Sequence, residues 1–300
     1  MDIEKSKQYI RMNARPLDYL RWNYLFEGGS RTAVLDALAA YQNDDGGFGH
    51  ALEPDCWNPE SSPVQTWVAT EIIREVQLDD RNHPMIRKII GYLSSGRDFD
   101  GHTWANTLPS NNDYPHAPWW THHEHAEISY NPTACLAGFI VRFAERGSSS
   151  YALGCRLVIE SYKYFKNNFP MDSMHTVACY VRMYQYLVQA QTEDLIDMDE
   201  FRLLLHRQVT EVITDDTSRW ASEYVCKPSL FIETRGDEFY AENKDIADYE
   251  SGFLDRTQEP DGTWAITWEW DKFPEAWPIA KNWWKCDRII KTLKYLSGIK

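Results

Sequence analysis

The chain has 300 residues, of which 43% are hydrophobic and 14% aromatic, so it can form a sizeable core and is not disordered as a whole. Its formal net charge of −14 argues against a nucleic-acid-binding surface, which needs a basic face, and against docking on anionic lipid. It has no N-terminal apolar run of signal-peptide length and no apolar span of about 20 residues. We therefore expect a cytoplasmic protein without a membrane span.

The cysteines are scattered along the chain and form no CxxC pair. Most of them lie among apolar residues, so we expect buried free thiols rather than disulfides. They are Cys56, Cys135, Cys155, Cys179, Cys226 and Cys286.

Apolar residues recur at three- and four-residue spacings along most of the chain, which predicts a series of helices. Proline or serine stands at several of the predicted starts, and Gly28-Gly29 ends the second helix. No segment shows the sustained alternation of a β-strand. The predicted helices cover residues 2–12, 16–27, 30–41, 63–76, 84–93, 132–143, 151–167, 173–190, 199–213, 246–257 and 278–297. Long irregular stretches at 43–63 and 97–131, and a mostly loop segment at 220–245, separate some of them.

A sequence frame recurs between the helices: Leu, three residues, Gln, three residues, Gly, one residue and an aromatic residue. The two good copies are Leu38, Gln42, Gly46, Phe48 and Leu254, Gln258, Gly262, Trp264. A looser copy is Leu93, Arg97, Gly101, Trp104, and a faint one ends at Asp216 and Trp220. The spacing indicates a unit of roughly 50 residues, which is one helical hairpin with its loop.

The repeat has a physical interpretation as a structural clamp. The helix ends before the glycine, which supplies the backbone freedom for a sharp turn. A glutamine side chain both donates and accepts, so it can tie the helix end to the following loop while the aromatic ring covers the junction. We therefore expect the repeat residues to be structural and the functional residues to lie elsewhere.

This frame resembles the Gln-Trp repeat of squalene–hopene cyclases, and the chain is similar to the terpenoid-cyclase and protein-prenyltransferase superfamily. Small bacterial prenyltransferase or squalene-oxidase repeat proteins are the most similar in kind. The resemblance implies an all-α protein, a single α/α-toroid domain over residues 1–300 with about six helical hairpins in two concentric layers. It also implies a central cavity for a small hydrophobic substrate.

The first candidate site lies in the loop after the first repeat. It contains Asp44, Asp45, His50, Glu53 and Asp55. Carboxylates this close repel one another, which can create a general acid. Terpene cyclases that protonate an alkene use an Asp-x-Asp-Asp motif, which this chain lacks. Capping of the turn is the alternative for Asp44 and Asp45.

The second candidate site lies in the irregular stretch that follows, which is crowded with histidines, carboxylates and aromatic rings. His122, His125 and Glu127 are weak candidates for a divalent metal, and a solvated polar loop is the alternative. The zinc pattern of the prenyltransferases is not met, because Asp55 and Cys56 are adjacent. The segment carries His116, Trp119, Trp120, His122, His123, Glu124, His125, Glu127 and Tyr130.

The third candidate site follows the last repeat, where Trp264, Trp268 and Trp270 could line a pocket with Glu269 at hand. Packing between helices is the alternative for the tryptophans of this region, Trp283 and Trp284 above all.

We carry three hypotheses from the sequence. The first is a terpenoid-cyclase-like or prenyltransferase-like protein that binds an isoprenoid, with acid–base chemistry by Asp55 or Glu53 and, behind them, Asp45 and Asp44. The second is an α/α-toroid glycoside hydrolase or lyase with paired carboxylates. The third is a non-catalytic binding protein for a small molecule or peptide. The oligomeric state stays open. The substrate-binding residues in the first hypothesis are His50, Trp57, His116, Trp119, Trp120, Tyr130, Trp264, Trp268 and Trp270.

Overall fold

A computed structural model describes residues 1–124, 129–192 and 194–300. Over these ranges the chain forms eleven α-helices and four short 3-10 helices, and its extended pairing is limited to isolated β-bridges, which confirms the predicted all-α class. Each predicted helix is present, with ends that shift by less than one turn. The helices are α1 Ile3–Asn13, α2 Pro16–Phe26, α3 Arg31–Ala39, α4 Pro63–Glu75, α5 Pro84–Ser94, α6 Thr133–Phe143, α7 Ser149–Asn167, α8 Met174–Ala190, α9 Met198–Val212, α10 Lys244–Arg256 and α11 Trp277–Ile299. The 3-10 helices are Pro109–Asp113, Pro118–Trp120, Thr217–Arg219 and Pro228–Leu230.

Local chemistry accounts for many of the helix starts. Pro16, Pro63 and Pro84 occupy first-turn positions, where a missing backbone N–H costs nothing. The hydroxyl groups of Ser62 and Ser148 accept hydrogen bonds from first-turn amides at 3.1 Å, as N-caps do. These are the residue types that made the helix starts predictable.

The described chain divides into two compact units, residues 1–38 with 209–300, and residues 39–208. In the second unit, α6 packs against α7 and α8. Every residue of α6 except Arg142 is buried, as expected for a helix that is apolar on all sides. The single-domain assignment for residues 1–300 stays a prediction.

In the unit of residues 1–38 and 209–300, α11 packs against α1, α2 and α10. A buried ion network lies between its helices. Asp18 accepts from Arg15 at 2.7 Å and from Arg21 at 3.0 Å. Arg21 also pairs with Asp287 of α11 at 2.9 Å. Burying charges is costly unless each one is paired, and here each has a partner.

The longest helix is α11, with 23 residues that mix apolar and charged side chains. Neither α11 nor any other helix within the described ranges is both long enough and apolar enough to cross a bilayer. The cysteines behave as predicted, since all six are free thiols and only Cys155 is not fully buried.

The two good repeats form the same clamp, which confirms the predicted role of the glutamine. Gln42 Nε2 donates to the carbonyl of Gly46 at 3.0 Å, and Gln258 Nε2 donates to that of Gly262 at 3.2 Å. Each amide also reaches the start of another helix, at the carbonyl oxygens of Met85 (3.4 Å) and Asp2 (3.1 Å) respectively. The clamp therefore ties its own turn to the start of a helix elsewhere in the same compact unit.

The glycine of each clamp is required by both backbone conformation and space. Gly46 and Gly262 have φ of +95° and +86°. A Cβ at Gly46 would lie 2.2 Å from the carbonyl oxygen of Lys88, and one at Gly262 would lie 2.4 Å from the amide of Ser6. In the looser repeat, Gly101 has φ of +103° but no atom near its Cβ position, so only the turn requires it.

This difference gives a stability prediction. Gly262→Ala should lower the free energy of unfolding by about 2–5 kcal/mol, because left-handed strain adds to an overlap with the backbone of α1. Gly101→Ala is the matched control and should lose only about 1–2 kcal/mol, from strain alone. Urea unfolding followed by circular dichroism measures both. Equal losses in the two variants would show that the contact with α1 contributes nothing.

Candidate functional site

The loop from residue 43 to residue 62 is anchored in part by the fully buried side chain of Gln65, in the first turn of α4. Gln65 Oε1 accepts from the amide of Leu52 at 2.9 Å, and its Nε2 donates to the carbonyl of Asn58 at 2.9 Å. The Leu52 amide also donates to Gly49 O at 3.2 Å, and Asn58 O also accepts from the His50 amide at 3.0 Å, so Gln65 adds a second contact to each backbone group. The glutamine therefore spans the loop segment that carries Glu53 and Asp55.

The same loop contains two consecutive strained residues. His50 and Ala51 both have φ of +60°, a left-handed conformation that costs an L-residue about 1–2 kcal/mol. Such strain persists only where the surrounding contacts enforce it, and it concentrates at functional sites. The contacts of Gln65 supply that enforcement here.

The first and second candidate segments are brought together by backbone pairing. Cys56 and His116 form an antiparallel bridge, in which the Trp57 amide donates to Pro115 O at 2.9 Å and the Ala117 amide donates to Asp55 O at 2.8 Å. The two long loops are therefore one structural feature.

Asn58 adds side-chain hydrogen bonds to this junction. Its Nδ2 donates to Ser110 Oγ and to Asn111 Oδ1, both at 2.9 Å. Asn58 is fully buried and Asn111 nearly so. Both asparagines therefore serve to hold the two loops in register.

Two carboxyl groups lie inside this paired feature. Glu53 is 7% exposed and Asp55 is 2% exposed, and Glu53 Oε1 accepts from the Asp55 amide at 3.3 Å. Burial raises the pKa of the neighbouring Cys56 thiol to about 12, and the negative charges of Glu53 and Asp55 add to the shift. A thiol that stays protonated at neutral pH is a poor nucleophile, so the chemistry of the loop rests on its carboxyl groups.

His116, which pairs with Cys56 through the backbone bridge, is fully buried. Its Nδ1 lies 2.7 Å from the carbonyl of Tyr114, and its Nε2 lies 3.0 Å from the hydroxyl of Thr121. A carbonyl can only accept, so Nδ1 carries the proton, and Nε2 can accept from the Thr121 hydroxyl in the neutral ring. These contacts fix both the position and the tautomer of the imidazole.

The predicted aromatic residues of this feature differ in exposure. Trp57 is half-buried and donates its indole N–H to Pro54 O at 2.9 Å, whereas Trp119 is 47% exposed. Trp120 is half-buried, and Tyr130 is buried against Tyr164 with ring centroids 4.7 Å apart. Trp119 is therefore the member of this set with a ring face available to a ligand.

The remaining residues of the first candidate set lie at the turn. Asp45 Oδ1 accepts from the Gly47 amide at 3.0 Å and from Ser61 Oγ at 2.6 Å, while its Oδ2 pairs with Arg97 at 2.7 Å. These contacts give Asp45 the turn-capping role that the sequence offered as its alternative. Asp44 and His50 are exposed, and His50 Nε2 lies 2.8 Å from Asn43 Oδ1.

The metal candidates are only partly within the described residues. His122 Nδ1 lies 3.2 Å from Thr107 Oγ1 and 3.1 Å from Thr107 O, and its amide donates to Asn112. His125 and Glu127 lie outside the described residues. Over residues 1–124, 129–192 and 194–300, no group of three or more His, Cys, Asp or Glu side chains is placed to hold a metal ion. The predicted metal set, which needs His125 and Glu127, stays a prediction.

The third candidate set lies in the unit of residues 1–38 and 209–300. Trp264 is buried and donates to Leu254 O at 2.8 Å, which is the clamp contact of its repeat. Trp268 packs against Trp284 at 5.3 Å, and Trp270 is buried against Trp277 at 5.5 Å. The contacts of these rings are packing contacts, which is the alternative that the sequence left open for the tryptophans of this region.

Sequence reasoning missed the residues that build the first site, namely Gln65, Asn58, Asn111 and Thr121. A signal was present for Gln65, because a glutamine two residues after Pro63 falls in a first helical turn next to a long polar loop. Nothing in the sequence pointed to the partners of Asn58, since Asn111 is 53 positions away.

No protein-family model matches this chain, and no curated protein or solved structure is significantly similar to it. The resemblance to the terpenoid-cyclase superfamily therefore stays an expectation from the repeat residues. The groups that the site offers for chemistry are two buried carboxyl groups, a buried imidazole of fixed tautomer and an exposed indole.

The anchoring role of Gln65 gives a second prediction. Gln65→Ala should lower the free energy of unfolding by about 1–3 kcal/mol, because it removes two buried hydrogen bonds, while the Leu52 amide keeps Gly49 O and the Asn58 carbonyl keeps the His50 amide. It should also speed proteolytic cleavage between residues 49 and 58, measured by mass spectrometry of the fragments. Gln189→Ala, at an exposed position of α8, is the control. Wild-type cleavage in the Gln65 variant would show that the loop is held by other contacts.

Proposed function

We propose that the chain is an α/α toroid of the terpenoid-cyclase type, and that the Glu53–Asp55 loop supplies a carboxylic acid that protonates an apolar isoprenoid substrate. The toroid is supported by the equivalence of the repeat turns. Gln42 with Gly46 and Gln258 with Gly262 make the same contacts, one pair in each compact unit.

The observation that carries the proposed chemistry is the burial of Glu53 and Asp55 next to each other in a strained, well-anchored loop. Protonation of an alkene by a carboxyl group needs an acid shielded from water, because water would otherwise compete for the proton and quench the cation. The carboxyl O–H bond breaks, the new C–H bond forms at the alkene, and the carboxylate that remains faces the carbocation.

The neighbouring groups suit the later stages of such a reaction. Aromatic ring faces stabilise a cation, and the exposed ring of Trp119 would offer such a face. His116, with one nitrogen donating to Tyr114 and the other facing Thr121, would keep the junction polar without adding a charge. In this proposal Asp55 is the acid, because it is the more buried of the two carboxyl groups, and Glu53 orients it.

The proposal predicts the outcome of amide substitutions. The purified chain is incubated with farnesol, geranylgeraniol and squalene, and products are followed by gas chromatography with mass spectrometry. The wild type should yield isomeric cyclic products. Asp55→Asn should lower turnover by at least about a hundredfold, because an amide cannot deliver the proton. Glu53→Gln should lower it less.

The matched control is Glu60→Gln, which changes an exposed carboxylate of the same loop and should leave turnover unchanged. Wild-type turnover in Asp55→Asn would remove Asp55 as the acid. Binding of the isoprenoids without any product would favour the non-catalytic binding hypothesis over the enzyme.

A second candidate function is carbohydrate processing, and the 47% exposure of Trp119 favours it. An exposed indole beside paired carboxyl groups is a suitable platform for a sugar ring. Cellotetraose and xylotetraose, tested by calorimetry and product chromatography, distinguish the two functions. Binding that Trp119→Ala abolishes, together with indifference to the isoprenoids, would replace the first proposal with the second.

A further inference from the structure

The unit of residues 1–38 and 209–300 contains a buried charge cluster that the proposed function does not use. Glu250 of α10 is fully buried and accepts two hydrogen bonds from Ser229, from its amide at 2.7 Å and from its hydroxyl at 2.6 Å. These bonds attach the 3-10 helix Pro228–Leu230 to α10. They also place Lys227, the residue just before that 3-10 helix, within electrostatic range of Glu250.

Lys227 is 8% exposed, and its ammonium group lies 5.9 Å from the ring centroid of Trp220. Within residues 1–124, 129–192 and 194–300 its side chain has no hydrogen bond and no ion-pair partner within 4 Å. Within the same ranges, the side chain of Arg288 in α11 also has no hydrogen bond and no ion-pair partner within 4 Å. The negative charge of Glu250 acts on both residues. Neither cation is a buried atom without a hydrogen-bond partner, so solvent reaches both, and an anion that displaced this water would pair with them directly.

A buried donor without an acceptor lies on the same face of α11 as Arg288. Trp284 is one helical turn before Arg288, so the two side chains are neighbours on the helix surface. The indole Nε1 of Trp284 is buried and has no acceptor among the described residues. An anion at this face could accept from the indole and pair with the cations.

The walls beside these donors are aromatic and reach the solvent. Trp268 packs on Trp284 with ring centroids 5.3 Å apart, and Tyr224 packs on Trp268 at 5.0 Å. Tyr224 is 51% exposed, while Trp268 and Arg288 are half-buried. A ligand can therefore approach from the Tyr224 side and meet rings before it meets the cations.

We propose that Lys227, Arg288 and the indole N–H of Trp284 bind the carboxylate of a small organic acid, whose apolar body packs against Trp268 and Tyr224. Glu250, whose pKa is raised by burial, offsets one of the two positive charges where it is ionised, and the site then matches a monoanion better than a dianion such as phosphate. The planar fork of Arg288 suits the two oxygens of a carboxylate. The site stands independently of the role of Glu53 and Asp55.

Electrostatics supports the geometry and sets the pH dependence. Burial, followed by the positive charge of Arg288, lowers the pKa of Lys227 to about 8. The groups that face Lys227 are Arg288, Glu250 and Cys226, and Arg288 also faces Asp287, whose charge is engaged by Arg21 and Lys291. A bound carboxylate favours the protonated lysine, so affinity should be full below this pKa and fall as the pH rises through it.

The test is isothermal titration calorimetry of the full chain with benzoate, acetate and inorganic phosphate at pH 7 and pH 9.5. Benzoate should bind one to one at pH 7, more tightly than acetate or phosphate, and at least about tenfold more weakly at pH 9.5. Lys227→Met should lower the benzoate affinity at pH 7 by about tenfold or more and remove the pH dependence.

Lys281→Met is the matched control, because Lys281 also lies over an indole, 6.0 Å from the Trp277 centroid, and it should bind benzoate as the wild type does. Trp284→Phe keeps an aromatic ring but removes the N–H donor, so it should weaken benzoate binding by about threefold or more. This variant serves as the test if Lys227→Met does not fold. The proposal is overturned if the wild type does not bind benzoate, if phosphate binds as tightly as benzoate, or if Lys227→Met and Lys281→Met behave alike.

Discussion

The backbone of Asp55 and Trp57 is joined to that of Pro115 and Ala117 by hydrogen bonds of 2.8 and 2.9 Å, in the centre of two loops whose described residues contain no α-helix. Every other feature of the candidate site depends on this pairing. It brings the buried carboxyl groups and His116 into one feature, and the strain at His50 and Ala51 is tolerated because the loop is fixed at this point and at Gln65. A loop of this length without such contacts would not keep carboxyl groups buried.

The helices could be predicted because their signals are local. Pro16, Pro63 and Pro84 each stand where a helix begins, and the three- and four-residue spacing of apolar side chains marks the buried faces between them. The clamp could also be predicted from the sequence, because its hydrogen bond joins Gln42 and Gly46, which are only four positions apart. The contacts that the two glutamines make with Met85 and Asp2 could not be predicted, because they join residues that are distant in the sequence.

The candidate site was predicted in its parts and not as a whole. Glu53, Asp55 and His116 were singled out by residue type, yet their association depends on contacts between positions about 60 apart in the chain, which no local pattern specifies. Asp45 shows the opposite case, since its turn contacts with Gly47 and Ser61 are local and the turn-capping alternative followed from its place before a glycine. Lys227 gave no signal in the sequence, and the sequence favours a solvated helix face for Glu250, whereas the fold buries both residues.

The central claim is that the two paired loops form one ligand site, and hydrogen–deuterium exchange read by mass spectrometry tests it most directly. The full chain is exchanged with and without a saturating isoprenoid probe, geranylgeraniol. We expect slower exchange in both loop segments, residues 49–58 and 114–121, because a ligand that covers the junction stabilises both sides of the pairing. Protection that is absent from both segments, or confined to one of them, would contradict the claim that the loops act together.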